Sequence, residues 1–480
     1  MSDISDISDM SDMSDMSTPI PDAGALTRRL AERILSIRGD AITPLALAQA
    51  KMCLLDAVGV TLAGCLEPAP RILLRTPGIA SAPGRSLVFG TSVRTSALDA
   101  TLVNGTAAHA LDYDDFSSIM GGHHTVPLMP ALLALGEEQS LCGRDILVSY
   151  VAGVEVQIRM ARALGFHHYD KGWHPTATIG TFGAAAAVAH LVRLDVGQTA
   201  TALAIAASLA SGLKANFGTM VKPFHAGHCG RNGLLAALLA KAGFDANEFA
   251  LEHHQGFLNV FNGAGTFDTE KMFQDWASPL EIEGETIALK QFPCCGSTHP
   301  AIAMMLRLVR EEGVRASDVT AIEVLTHARR LRHTNNPLPK SSLEAKFSVQ
   351  YATARALLDG AVRLRHFEGN AHEEPEILKL LHNTQARPHP GMADDAEAQW
   401  GAEVTVTLRS GQRLSRRVDQ LVGRGGKSAM TRDEMWEKFE DCGERALPRE
   451  RLLEVFDMLD GLESVGDVNE LTRLLQPAAG

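Results

Sequence analysis

Two Ala-rich apolar runs, 200–210 and 234–242, enclose the segment SGLKANFGTMVKPFHAGHCGRNG, residues 211–233. Runs of that composition read as buried helices, so whatever joins them is held against the interior of the fold. The joining segment carries Lys214, Lys222, His225, His228 and Arg231, with five Gly, one Pro and no acidic residue. Gly and Pro at that density predict a loop. A cationic loop running into a helix is suited to an anion, because the first helical turn offers unpaired N–H groups. Lys222-Pro223-Phe224-His225 is its centre.

Helical patterns dominate the rest of the first 280 residues. Apolar residues recur at helical spacing over 23–38, and Thr43 with Pro44 forms a start signal for a helix reaching Gly64. Ser96 caps another, with Asp99 three residues on. Further helices are predicted over 126–138, 144–164 and 178–194, with a short one near Phe257. Glu155 and Arg159, one turn apart, read as an ion pair within a helix. The pattern changes near Glu281. Residues 282–289 and 319–326 read as strands, and 403–408 turns back through Ser410-Gly411 into 412–418 as a hairpin. Helices are predicted over 300–312 and 344–358, then again over 431–442 and 449–459 after a glycine hinge at 423–426.

The expected fold is therefore mainly α. A helical domain, 23–280 plus 425–475, is interrupted by a smaller α+β domain, 281–424, placed as a lid over a cleft. Residues 1–22 hold a Ser-Asp-Ile/Met repeat that cannot build a core and are expected to be disordered.

Charge narrows the function. The net charge is -12 and no basic block is present, which argues against nucleic acid as a partner. Binding an anion then needs local cations such as those of residues 211–233. Aromatic residues make up only 5%, too few for a base-stacking platform. Cys53, Cys65, Cys142, Cys229, Cys294, Cys295 and Cys442 contain no C-x-x-C pair, which fits reduced thiols. Neither a nucleotide-binding glycine motif nor a G-x-S-x-G elbow stands in a fitting context. Charged residues interrupt the apolar runs, and the N-terminus lacks a basic stretch followed by an apolar one. A cytoplasmic protein without a membrane span is expected.

Acids and imidazoles cluster in two further places. Asp112-Tyr113-Asp114-Asp115 precedes Gly122-His123-His124, and a carboxylate across such a loop can fix the tautomer of an imidazole. His167, His168 and His174 precede a helix, with Pro175 fixing the backbone beside His174. No His pair has metalloenzyme spacing, and nearby lysines oppose a cation, so no metal is expected.

With these residues assembled, the chain resembles the MmgE/PrpD family, which includes 2-methylcitrate dehydratase, cis-aconitate decarboxylase and iminodisuccinate epimerase. The likeness runs from about residue 24 to 470 through LDAVGVTLAG, NGTAAHALDYDD, GHHTVPLMPALLAL, GWHPTATIGTFGAAAA, VKPFHAGHCGRNG, LKQFPCCGSTHPAI and FSVQYATARALLDG. The resemblance implies a homodimer of helical and lid domains, an active site in the cleft, no cofactor, and a small carboxylate anion as substrate. Carried over by motif, the catalytic residues are Asp112, His123, His174 and Tyr351, with Lys222 and Lys290 binding substrate carboxylates. Asp112 would orient a histidine base, and Tyr351 or the second histidine would be the acid. The reaction implied is a dehydratase-type lyase acting on a hydroxy-di- or tricarboxylate. The alternatives are an isomerase epimerising an α-substituted dicarboxylate, a cis-aconitate-type decarboxylase and a non-catalytic binding protein. In the decarboxylase branch a His lies five residues beyond the lid lysine; Cys295 stands there in this chain, which weighs against decarboxylation.

Overall fold

The computed structural model describes residues 26–392, 400–420, 423 and 429–477. The expected tail, 1–22, and most of the expected hinge at 423–426 lie outside them. The fold is mainly α.

The first long helix, Pro44–Gly64, starts where the sequence signals it. Thr43 accepts a hydrogen bond from the N–H of Ala46 at 3.0 Å and Pro44 takes the first turn. By length and composition this helix is apolar enough to cross a membrane, yet here it lies inside the fold against Ala97–His109 and Arg432–Gly443. Ser96 caps Ala97–His109 through the N–H of Asp99 at 3.2 Å. Pro175–Leu191 is the central helix, with every residue but His190 buried. Apolar on all sides, it is enclosed by Gly143–Leu164, Val196–Leu209 and Val221–Lys241.

Val221–Lys241 corrects the sequence reading of residues 211–233. The loop ends at Met220, and Lys222, His225, His228 and Arg231 stand on one continuous helix. Its glycines are contact points rather than breaks. A Cβ on Gly227 would lie 2.0 Å from the carbonyl oxygen of Leu102, and one on Gly233 would lie 2.5 Å from the Ala184 side chain. The helix thus approaches two neighbours backbone to backbone, which outweighs the low helix propensity of glycine. Gly227→Ala is expected to destabilise the protein by about 3 kcal/mol, read as a lower denaturation midpoint, because neither helix has a flexible side chain there to give way.

Beyond Phe292 the chain builds a second core of its own. Helices His299–Glu312 and Val349–Asp359 pack with a four-stranded sheet in the order Thr384–Pro388, Val319–Thr326, Ala402–Leu408, Arg413–Val418. The hairpin Ala402–Leu408/Arg413–Val418 is antiparallel with Thr405 opposite Ser415. Two features depart from expectation. Thr384–Pro388, which runs parallel to Val319–Thr326, has no alternating pattern in its sequence. Of the strand expected at 282–289, only Ile287–Ala288 pairs, with Phe116–Ser117, and Ile282, Ile287 and Leu289 join the helical core. Helices Arg432–Gly443 and Arg449–Asp460 return to that core, where Phe439 lies against Gly59.

Candidate active site

A cavity of about 730 Å³ opens between the helical body and the sheet-bearing unit. His109, Asp112, His123, His174 and Lys222 line it from the body; Lys290 and Cys295 from the segment leading into the second unit; Arg330, Lys346 and Trp400 from that unit.

Each body residue is placed by a helix end. His109 closes Ala97–His109. Asp112 follows in a left-handed conformation at φ 52°, which swings its carboxylate away from the line of the helix. His123 is tied to the next element by its N–H, which donates to Thr176 Oγ1 at 2.9 Å. His174 is the residue before the central helix, and its N–H donates to the carbonyl of Gly212 at 3.0 Å. Lys222 stands in the first turn of Val221–Lys241.

The centre is one carboxylate oxygen. Asp112 Oδ1 lies 3.0 Å from Lys222 Nζ, 2.9 Å from Lys290 Nζ and 3.4 Å from His123 Nε2. Lys290 also donates to the backbone carbonyl of Asp112. Burial alone would raise the Asp112 carboxyl, but Lys290 and Lys222 outweigh it and hold the group well below the ordinary range. Lys290 is buried, which disfavours its charge, yet Asp112 and Asp114 raise it above its ordinary value. Both groups are charged at neutral pH.

Asp112 is therefore the counter-ion of two lysines, and its contact with His123 is the longest of the three. Asp114 stands at the other imidazole nitrogen. Its Oδ2 lies 2.8 Å from His123 Nδ1, which is also 2.7 Å from the carbonyl of Asp115. Two acceptors at Nδ1 require that nitrogen to carry a proton, and Nε2 faces the Asp112 carboxylate. Asp114 also accepts from His109 Nδ1 at 2.9 Å. Burial lowers the His109 pKa to about 4, against the pull of Asp114. His174 is pushed down further by burial, then by His109 and Lys222. Its Nδ1 meets His225 Nδ1 at 3.2 Å, and Phe217 packs edge-on to its ring at 4.9 Å. Both imidazoles are neutral at pH 7.

Of the residues singled out in the sequence, Asp112, His123, His174, Lys222 and Lys290 come together. Tyr351 does not. It is fully buried in the core of the sheet-bearing unit, donating to the carbonyl of His366 and accepting from Arg355 Nε at 3.0 Å, and it does not line the cavity. Tyr351→Phe is expected to cost about 1–2 kcal/mol of stability while leaving kcat unchanged, checked by denaturation and steady-state rates. His109, Lys346 and Arg330 also line the cavity and are not singled out in the sequence. Arg330 stacks over Trp400 at 4.0 Å and donates to Ser297 Oγ at 3.3 Å.

Among the described residues, two groups have atoms spaced to hold a cation: His109, Asp112, Asp114 and His123 in the cavity, and the buried Cys53, Asp115 and His124. In the first, the ammonium groups of Lys222 and Lys290 share the Asp112 oxygen and oppose a cation.

Comparison with known proteins bears on the whole length. Residues 28–270 match the MmgE/PrpD N-terminal domain and 292–460 the MmgE/PrpD C-terminal domain. The chain is 28% identical to a human cis-aconitate decarboxylase over 463 residues, covering 94% of this chain and 95% of that protein. It is 27% identical to the mouse cis-aconitate decarboxylase over 94% of this chain and 93% of that protein. It is 25% identical to an Aspergillus terreus cis-aconitate decarboxylase, over 89% and 91%.

Proposed function

The chain belongs to the MmgE/PrpD family, and we propose that it is a lyase that removes a proton α to a carboxylate of a small hydroxy-di- or tricarboxylate and eliminates water. One observation carries the reading. The position held by Asp112 Oδ1 is within 3.0 Å of two ammonium groups and 3.4 Å from Nε2 of His123.

A substrate carboxylate that displaces Asp112 from Lys222 and Lys290 takes that position. The carbon attached to it then falls within reach of His123 Nε2. Removing its proton spreads negative charge onto the carboxylate, where the two lysines stabilise it. His123 is the base and Asp114 holds its tautomer and stabilises the imidazolium. His174, neutral and buried beside them, completes the proton-handling wall. The sheet-bearing unit, whose Arg330 and Lys346 face the same cavity, serves as the lid. The chemistry of the residues alone is sufficient for these steps, without a cofactor.

Decarboxylation is the second reading, favoured by the activity named for the human, mouse and A. terreus relatives. Loss of CO2 from a carboxylate also leaves carbanion character next to the lysines, and the histidine then delivers a proton instead of removing one. Incubation with a panel of di- and tricarboxylates in deuterated water separates the outcomes. Elimination gives alkene absorbance without CO2, decarboxylation gives CO2, and epimerisation gives α-deuterium with neither. Alkene without CO2 supports the dehydratase reading; CO2 from an unsaturated tricarboxylate replaces it with the second.

A further inference from the structure

Elimination needs an acid for the departing hydroxyl as well as a base for the α-proton. Lys222 and Lys290 are engaged by Asp112, Lys346 donates to the carbonyl of Leu111, and His174 and His225 face one another. The hydroxyl of Tyr351 is committed to His366 and Arg355 in another core. The wall leading into the sheet-bearing unit offers Cys295.

Adjacent cysteines here have different fates. Cys294 is buried in the core of the second unit, its Sγ 3.2 Å from Thr298 Oγ1. Cys295 is half-buried and lines the cavity. Its backbone is fixed on both sides: the N–H donates to the carbonyl of Lys346 at 2.9 Å, and its carbonyl accepts from the N–H and Oγ1 of Thr298, each at 2.8 Å. The turn that opens helix His299–Glu312 therefore sets where the thiol stands. Lys290, nine-tenths buried in the same cavity, is its cationic neighbour.

We propose that Cys295 is the general acid that protonates the leaving hydroxyl. The inference rests on the lyase reading above and assigns the second half of that reaction. The imidazole of His123 takes the α-proton, the electron pair of the C–H bond forms the C=C bond, and the C–O bond breaks. The thiol proton passes to the departing oxygen, giving water and a thiolate beside the Lys290 ammonium. The proton on the imidazolium returns to the thiolate through solvent, so the cycle closes with no change of oxidation state. Burial raises the Cys295 pKa above its ordinary value, with hydrogen bonding from Ser297 and the charge of Lys290 pulling the other way, so the group enters the cycle as a thiol.

The test compares wild type, Cys295→Ala and Cys295→Ser in deuterated water with whichever hydroxy acid the wild type dehydrates, after thermal melting has shown that each variant is folded. Cys295→Ala is expected to eliminate about 10²–10³-fold more slowly. It is also expected to keep wild-type exchange of the α-proton and an unchanged KM. Cys295→Ser, a weaker acid at the same place, is expected to fall between. Elimination by Cys295→Ala at the wild-type rate overturns the assignment, as does a parallel fall of exchange and elimination. A wild type that neither exchanges nor eliminates with any acid of the panel overturns the dehydratase reading, and the assignment with it.

Discussion

Replacing Lys290 with methionine lowers kcat/KM for the carboxylate substrate by about 10³-fold. Lys290 is 8% exposed, and its ammonium touches the oxygen position that the substrate carboxylate takes over on the proposed reading. Its charge therefore acts in a poorly screened setting, both on the bound anion and on the enolate-like charge that follows. Methionine keeps the volume and removes the charge. Arginine does not restore activity, because a planar fork cannot stand where a compact ammonium meets one oxygen. Stability changes by only about 1 kcal/mol, since Asp112 is half-exposed and keeps Lys222. Lys222→Met shows the same pattern, and the double variant loses less than the product of the two, because both lysines grip one oxygen. Steady-state kinetics with denaturation midpoints checks each point; a Lys290→Met enzyme of wild-type efficiency removes these lysines from the site.

The second large effect is at the base. His123→Gln lowers kcat by about 10²–10⁴-fold with little change in KM. Glutamine keeps a hydrogen-bond partner for Asp114 but supplies no basic nitrogen. Asp114→Asn is the milder companion: the Asp115 carbonyl still accepts from Nδ1 and keeps the tautomer, while the charge that stabilises the imidazolium is gone. α-Proton exchange in deuterated water reads this step alone and falls in both variants, further in His123→Gln. Exchange that persists in His123→Gln transfers the base role to His174.

How far the sequence carries can be seen from particular residues. Local signals placed elements well: Thr43 and Ser96 cap the helices they precede, and the alternation over 403–408 and 412–418 is the hairpin that forms. Where tertiary contacts decide, local signals mislead. Gly227, Gly230 and Gly233 read as loop formers, yet each sits in a helix because a neighbouring helix or loop leaves no room for a Cβ. Thr384–Pro388 is a strand only by pairing with Val319–Thr326. In the site, the run Asp112-Tyr113-Asp114-Asp115 shows acids but not their directions. The left-handed backbone at Asp112 sends that carboxylate to the lysines and leaves Asp114 to the histidines. His109 was masked by the apolar helix it ends; a polar residue in that last turn, five before Asp114, was the available signal. Tyr351 sits on a face of Val349–Asp359 that turns to its own core, a matter of helix register that a motif does not show.

Asp112 also decides what kind of anion the cavity accepts. Its carboxylate is tethered by the chain and already sits on both lysines, so it behaves as a competitor at a fixed, high local concentration. A monoanion such as chloride or acetate offers the lysines nothing that Asp112 does not, and it also has to be drawn from dilute solution. A molecule with a second anionic group gains an additional contact at Lys346 or Arg330 across the cavity, and that surplus is what dislodges the tethered rival. On the proposed reading, the tethered carboxylate therefore makes the cavity select anions by valence.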